Sequence, residues 1–148
     1  MRTVMSMIRP AVILLVEDNP GDVALIREAM ADNKISNDIH HVWDGVEAMN
    51  YLRSDSDQCP RPDLILLDLN LPRMDGCEVL QAVKRDSVWR NIPVVVLTSS
   101  DADDDIARVY GLSANCYVRK PLDLAQFIRV VKSIQEFWVS IVRLPATV

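Results

Sequence analysis

Five short apolar runs, each bounded by turn residues and followed by a stretch with helical spacing, constrain the fold of this chain more than any other feature. The runs are Ala11 to Val16, Ile39 to Trp43, Leu64 to Leu67, Val94 to Leu97 and Cys116 to Val118. The first, third and fourth are too uniformly apolar for a sheet with one wet face, so they read as strands covered on both sides. Helix starts lie between them: Pro20 follows Asn19, and Asp44, Asp75 and Asp101 are each followed three residues later by Glu47, Glu78 and Asp104. Apolar residues in these segments keep helical spacing, as in Val23, Ile26 and Met30 or Val79, Leu80 and Val83. Parallel strands need crossover helices, and those crossovers are right-handed. Five β-α units in succession therefore predict a doubly wound α/β sandwich around a five-stranded parallel sheet.

A chain of 148 residues buries roughly two-thirds of its unfolded surface, enough for one core. One domain over 1–148 is expected, with 1–10 as an N-terminal extension and 139–148 as an extension of the last helix. Sixteen basic against twenty-one acidic residues give a net charge of −5, which argues against direct nucleic-acid binding and against an anionic membrane as the main partner. Arg2 and Arg9 ahead of the first apolar run imitate a signal peptide, but Glu17-Asp18 cuts the run short, and no run is long enough to span a membrane. Cys59, Cys77 and Cys116 are odd in number and lack metal-ligand spacing, which fits free thiols in a reducing cytoplasm.

In an open parallel sheet, ligands bind beyond the carboxyl ends of the strands. The first strand ends there in Glu17-Asp18, the third in Asp68, the fourth in Thr98-Ser99 and the fifth in Arg119-Lys120-Pro121; Asp44, after the second, reads as a helix cap. Three neighbouring carboxylates repel, and a metal removes the conflict. All-oxygen ligation suits a hard ion such as Mg²⁺, which usually shares its site with a phosphate. Asp68, carried at the sheet edge by an apolar strand, can attack phosphorus to give an acyl phosphate, with Lys120 supplying an ammonium and Thr98 a hydroxyl to the transferred group. His40 and His41 alternate faces on one strand and cannot both ligate one ion; one buried and one solvated is the expectation. The run Asp101 to Asp105 is no EF-hand, since Ile106 stands at the loop glycine and Leu112 at the bidentate glutamate. It reads as an acidic helix N-terminus.

The segments Ile13-Leu14-Leu15-Val16-Glu17-Asp18-Asn19, Leu66 to Gly76, Val96-Leu97-Thr98-Ser99 and Tyr117-Val118-Arg119-Lys120-Pro121 resemble, in order, those of bacterial response-regulator receiver domains. The resemblance covers Ala11 to Ile134. It implies a flavodoxin-like (CheY-like) (βα)5 fold with strand order 2-1-3-4-5 and Asp68 as phospho-acceptor. It further implies Mg²⁺ held by the Asp18 and Asp68 side chains, by the Asn70 backbone carbonyl and, largely through water, by Glu17. Thr98 and Lys120 would contact the phosphoryl group, the Lys120-Pro121 peptide bond would be cis, and Tyr117 would turn inward as Thr98 moves toward the phosphate. The implied donor is a sensor histidine kinase or a phosphotransfer protein, and the implied recipient of the signal is a downstream protein that the sequence does not name. Ser99 stands where Ala is frequent in that family, and Asn70 and Ser100 occupy positions that the resemblance implies set how long the phosphoryl group survives.

A last helix over Asp123 to Leu144 would be about 33 Å long, longer than the roughly 17 to 20 Å of a typical strand. Leu124, Phe127, Ile128, Val131 and Trp138 form one apolar stripe, and Val130, Ile134, Phe137, Ile141 and Leu144 a second. The second stripe is either a homodimer seam or covered by the tail itself. The segment Phe137 to Pro145, with Ala114 to Tyr117, is similar to the ends of single-domain regulators of cyanobacterial and bacterial phytochrome kinases, which implies a dimer through the fourth helix, fifth strand and fifth helix. Two further readings stay open: an aspartyl-nucleophile phosphatase or phosphotransferase, against which Asn70 stands where a second carboxylate is needed, and a binding module that signals without phosphorylation.

Overall fold

Alternation along the strands decides the layering in the computed structural model, which describes residues 10–31, 37–99 and 103–141. The strands are β1 (Ala11–Val16), β2 (Asn37–Val42), β3 (Leu64–Leu67), β4 (Val94–Thr98) and β5 (Cys116–Arg119). The helices are α1 (Pro20–Ala31), α2 (Gly45–Arg53), α3 (Gly76–Arg85), α4 (Asp103–Gly111) and α5 (Leu124–Gln135), the last continuing into a π-helical turn, Glu136–Ile141. All strand pairs are parallel and the order is β2-β1-β3-β4-β5. Leu14, Val16, Ile65, Leu67, Val94 and Val96 face α2, α3 and α4. Ile13, Leu15, Leu64, Leu66, Val95 and Leu97 face α1 and α5. Each fully buried side chain of this kind contributes about 1.5–3 kcal/mol of transfer free energy, and both faces being covered explains the uninterrupted apolar runs.

Strand register positions the site. Val16 of β1 pairs with Leu67 of β3, so the next residues, Glu17 and Asp68, emerge side by side where the strand order reverses. At the opposite end Asp63 fixes the same register, its backbone N–H donating to the Val12 carbonyl at 2.7 Å and its carboxylate accepting from the Val12 N–H at 2.8 Å. Helices α2, α3 and α5 start at aspartate caps: Asp44, Asp75 and Asp123 accept from the N–H groups of Glu47, Glu78 and Gln126. Asp101 lies outside the described residues.

Several boundaries differ from the sequence reading. Strand β2 runs from Asn37 to Val42 instead of Ile39 to Trp43, because Asn37 and Asp38 pair with Ala11 and Val12 despite their polarity. Regular α-helix ends at Gln135 and not at Leu144, giving way to a π turn, while Trp138 packs on the α1/α5 side of the core as expected. Residues 1–9 and 142–148, with most of the expected extensions and Leu144, lie outside the described residues. Leu124, expected in the core, is 57% exposed, whereas Ile134, expected in the outer stripe, is buried. His40 and His41 are both half-buried, since an edge strand leaves neither face fully open or fully closed. Cys59, Cys77 and Cys116 are free thiols, and burial raises the pKa of Cys77 and Cys116, which favours the protonated thiol.

Helix α3 begins almost in contact with the backbone that bears Asp68. A Cβ on Gly76 would lie 2.2 Å from the Asp68 carbonyl oxygen and 2.6 Å from the Leu69 Cα, so the methyl group of Gly76→Ala must push the helix off the β3 loop. A loss of about 3 kcal/mol is expected for this overpacking, read as a lower midpoint in urea unfolding. An unchanged midpoint would mean that α3 can retreat freely.

Candidate functional site

Lys120 ties the rim together. Its backbone N–H donates to the Thr98 carbonyl at 2.7 Å, extending the β4/β5 pairing by one step. Its ammonium, only 8% exposed, then reaches across the crevice to Glu17 Oε1 at 2.5 Å, Asp22 Oδ2 at 2.9 Å and Asp68 Oδ2 at 3.1 Å. An ammonium has three donors, and all three are used. Burial acts against its charge, but the hydrogen bonds it donates to Asp22 and Glu17 and the nearby Asp68 charge outweigh that effect and hold the Lys120 pKa above its ordinary value.

Glu17 is nearly fully buried, and burial together with the Asp68 charge pushes its pKa up to about 7 against the pull of Lys120. Its other carboxylate oxygen accepts from the Asn19 N–H at 3.2 Å. Glu17, Asp18 and Asp68 each present an oxygen within 4.8 Å of the others. Oxygen donors so closely grouped, with one carboxyl pushed toward its neutral form, fit a hard divalent cation, whose charge would relieve the crowding. Asp68 Oδ1 accepts from the Asn70 N–H at 3.3 Å, and Asn70 itself is exposed at the head of the β3–α3 loop. Arg73, further along that loop, sits in the left-handed region at φ 64° and is held there by Asp44, whose Oδ2 accepts from Nε at 2.9 Å and Nη2 at 2.8 Å. Asp44 is thus both a cap for α2 and an anchor for the loop that follows Asp68.

Residues 13–132 match the response regulator receiver domain family. The chain belongs to that family. It is 43% identical over 139 residues to response regulator Rcp1 of Synechocystis sp., covering 93% of this chain and 95% of that protein. Solved relatives include the Mn²⁺-bound form of Rcp1, with a TM-score of 0.88 at 43% identity, and the phosphorylated cyanobacterial phytochrome response regulator RcpA, with a TM-score of 0.89 at 48% identity. Each match covers 93% of this chain and 100% of the solved one. The receiver is a phospho-accepting component of two-component signalling, and its flavodoxin-like (CheY-like) fold agrees with the sequence reading. Among the described residues, no helix is long and apolar enough to cross a membrane.

Of the residues picked out by sequence, Glu17, Asp18, Asp68 and Lys120 converge directly. Thr98 is fully buried at the end of β4 on the same rim, linked to Lys120 through its carbonyl. Tyr117 is half-buried against the α2/α3/α4 side of the core, and its backbone N–H donates to the Tyr110 hydroxyl at 3.1 Å. The Lys120-Pro121 bond is trans, contrary to the cis bond that the resemblance implies; an X–Pro bond favours trans by about 0.5–1 kcal/mol where its surroundings do not demand cis. Sequence reasoning missed two neighbours. Asp22 looks like an ordinary acidic residue in a first helical turn, and only the fold brings it to Lys120. His41 looks like a strand residue, yet its Nε2 lies 2.8 Å from the Glu17 carbonyl oxygen and its ring packs edge-on against Trp43.

Proposed function

We propose that Asp68 accepts the phosphoryl group, that Glu17, Asp18, Asp68 and the Asn70 carbonyl hold Mg²⁺, and that Thr98 and Lys120 face the transferred group. The observation that carries this reading is the meeting, on one buried carboxylate, of a fully used ammonium and an oxygen cluster suited to a hard cation. In the transfer, an Asp68 oxygen forms a bond to phosphorus as the P–N bond of a phosphohistidine breaks, and the bonding pair returns to the imidazole nitrogen. Bound Mg²⁺ supplies charge neutralisation for the phosphoryl oxygens and for the carboxylates. The Asn70 N–H orients Asp68, and Lys120 donates to the developing charge. The added charge then favours one of two arrangements of Thr98 and Tyr117 and so alters the surface offered to a downstream protein.

The donor is a sensor histidine kinase or a phosphotransfer protein, and the likeness to phytochrome response regulators favours a phytochrome-type kinase. The receiver assists its own phosphorylation and dephosphorylation in the cytoplasm and turns over no separate substrate. Incubation with acetyl phosphate and Mg²⁺, followed by intact-mass measurement of the chain and its Asp68→Asn variant, tests the assignment.

We place a homodimer seam on α4, β5 and α5. An apolar groove of about 890 Å³ runs along β5 and α5, lined in part by Val118, Val130, Phe137 and Trp138. Phe137 is half-exposed there and stacks edge-on against Trp138. Replacing Phe137 and Ile141 together with Asp is expected to give a monomer in sedimentation. An unchanged mass would remove the seam.

A further inference from the structure

We infer that Asp22 is the exchangeable acceptor of the site: its carboxylate holds the Lys120 ammonium in the unphosphorylated receiver and yields that hydrogen bond to an oxygen of the phosphoryl group. The inference rests on Asp68 being the phospho-acceptor. A lysine ammonium has three donors, and those of Lys120 are occupied by Glu17, Asp22 and Asp68. A phosphoryl group brings three strong acceptor oxygens to the same place, so the ammonium has to give up donors now held by carboxylates. Asp68 loses its charge on becoming an acyl phosphate, so its donor passes to the group it carries; of the two carboxylates that keep their charge, Glu17 is 2% exposed and would be stranded by release. Asp22 is 24% exposed at the mouth of the crevice and can exchange the ammonium for water at the least cost.

Local helix chemistry explains why the Asp22 carboxylate is available. An acidic residue at the third position of a helix ordinarily reaches back to the N–H of the cap residue. Here the Asn19 N–H donates to Glu17 Oε2, while Asn19 Oδ1 takes the Asp22 N–H at 3.1 Å. The cap is complete without the Asp22 carboxylate, which points instead at Lys120. Asp22 is therefore a positioning residue. It keeps the ammonium extended over the site, and it competes with the phosphoryl oxygens for the same donor.

The test titrates beryllofluoride, a phosphoryl-like anion, into the receiver at saturating Mg²⁺ and low ionic strength, with heat as the readout. Asp22→Asn keeps the shape but removes the competing charge, and it is expected to bind the anion about fivefold more tightly, the scale of a partly exposed ion pair. Asp22→Glu is expected to restore the unmodified affinity. Glu28→Gln, which removes an equal charge from the exposed far end of α1, is expected to leave it unchanged. A merely structural role would weaken binding in Asp22→Asn, the opposite direction. Equal or weaker binding by Asp22→Asn, or a Glu28→Gln shift as large, overturns the exchange. Failure of the unmodified receiver to bind beryllofluoride or take up phosphate overturns the Asp68 assignment and this inference with it, whereas normal binding with an unresponsive Asp22→Asn overturns this inference alone.

Discussion

Asp68→Asn is expected to abolish phosphoryl uptake, leaving no adduct in the intact mass under conditions where the unmodified receiver acquires one from acetyl phosphate and Mg²⁺. An amide oxygen has neither the charge nor the basicity to displace acetate from phosphorus, so the loss is one of chemistry rather than of degree. Folding provides the control. Asp68 raises the pKa of Glu17 through charge repulsion, and removing that charge relieves a buried conflict, so the variant is expected to melt no lower than the unmodified protein in the absence of metal. A stable variant without an adduct therefore isolates the acceptor. An adduct that persists on Asp68→Asn would move the acceptor to a neighbouring carboxylate, and an adduct absent from both proteins despite bound Mg²⁺ would count against acceptance from small donors.

What the sequence made legible follows from which signals are local. The apolar runs at Leu64 to Leu67 and Val94 to Leu97 survive in the fold because burial on both faces tolerates no polar interruption. Asp44 and Asp75 announce their helices because a cap needs only its own next three residues. The receiver motifs put Asp68 and Lys120 on one rim, since in a parallel sheet all strand carboxyl ends lie together. Features that depend on distant partners stayed hidden. Asn37 and Asp38 look like turn residues, and only the pairing with β1 draws them into β2. Asp22 carries no sign that its cap partner is already taken by Glu17. The division of α5 into core and exposed faces was misread at Leu124 and Ile134 because a 3.6-residue period fixes spacing along a helix but not the angle at which the helix docks. The π turn after Gln135 then shifts the period itself.

Lys120→Met carries the second large effect, on stability. The ammonium is the counter-ion for Glu17 and Asp68, both nearly fully buried, and a methionine leaves them facing each other. Stranding a buried charge costs about 3–5 kcal/mol, and because Asp18 and Asp22 face water, a loss of about 3 kcal/mol is expected, or about 6–12 °C in melting temperature at this chain length. The loss depends on pH with a definite sign. Glu17 keeps its proton up to about pH 7 in the folded receiver, against an ordinary value of 4.5, so between these values the folded state binds more protons than the unfolded one. The stability from protonated Glu17 is complete below about pH 4.5 and is lost as pH rises through about 7. Lys120 makes no opposing change in that window, since its pKa is raised from 10.5. The variant is therefore expected to suffer most near pH 8 and to recover much of the difference near pH 5, where Glu17 takes up a proton in place of its lost partner. A divalent cation at about 100 times its dissociation constant stabilises the receiver by about 2.7 kcal/mol, and at pH 8 it should stabilise the variant by more and narrow the deficit, because it supplies the missing positive charge. Thermal melts at pH 5 and pH 8, with and without Mg²⁺, read all of these effects. A variant as stable as the unmodified receiver at pH 8 without metal would show that the carboxylates do not need the ammonium, and a deficit that grows toward pH 5 would reverse the assigned direction of the Glu17 shift.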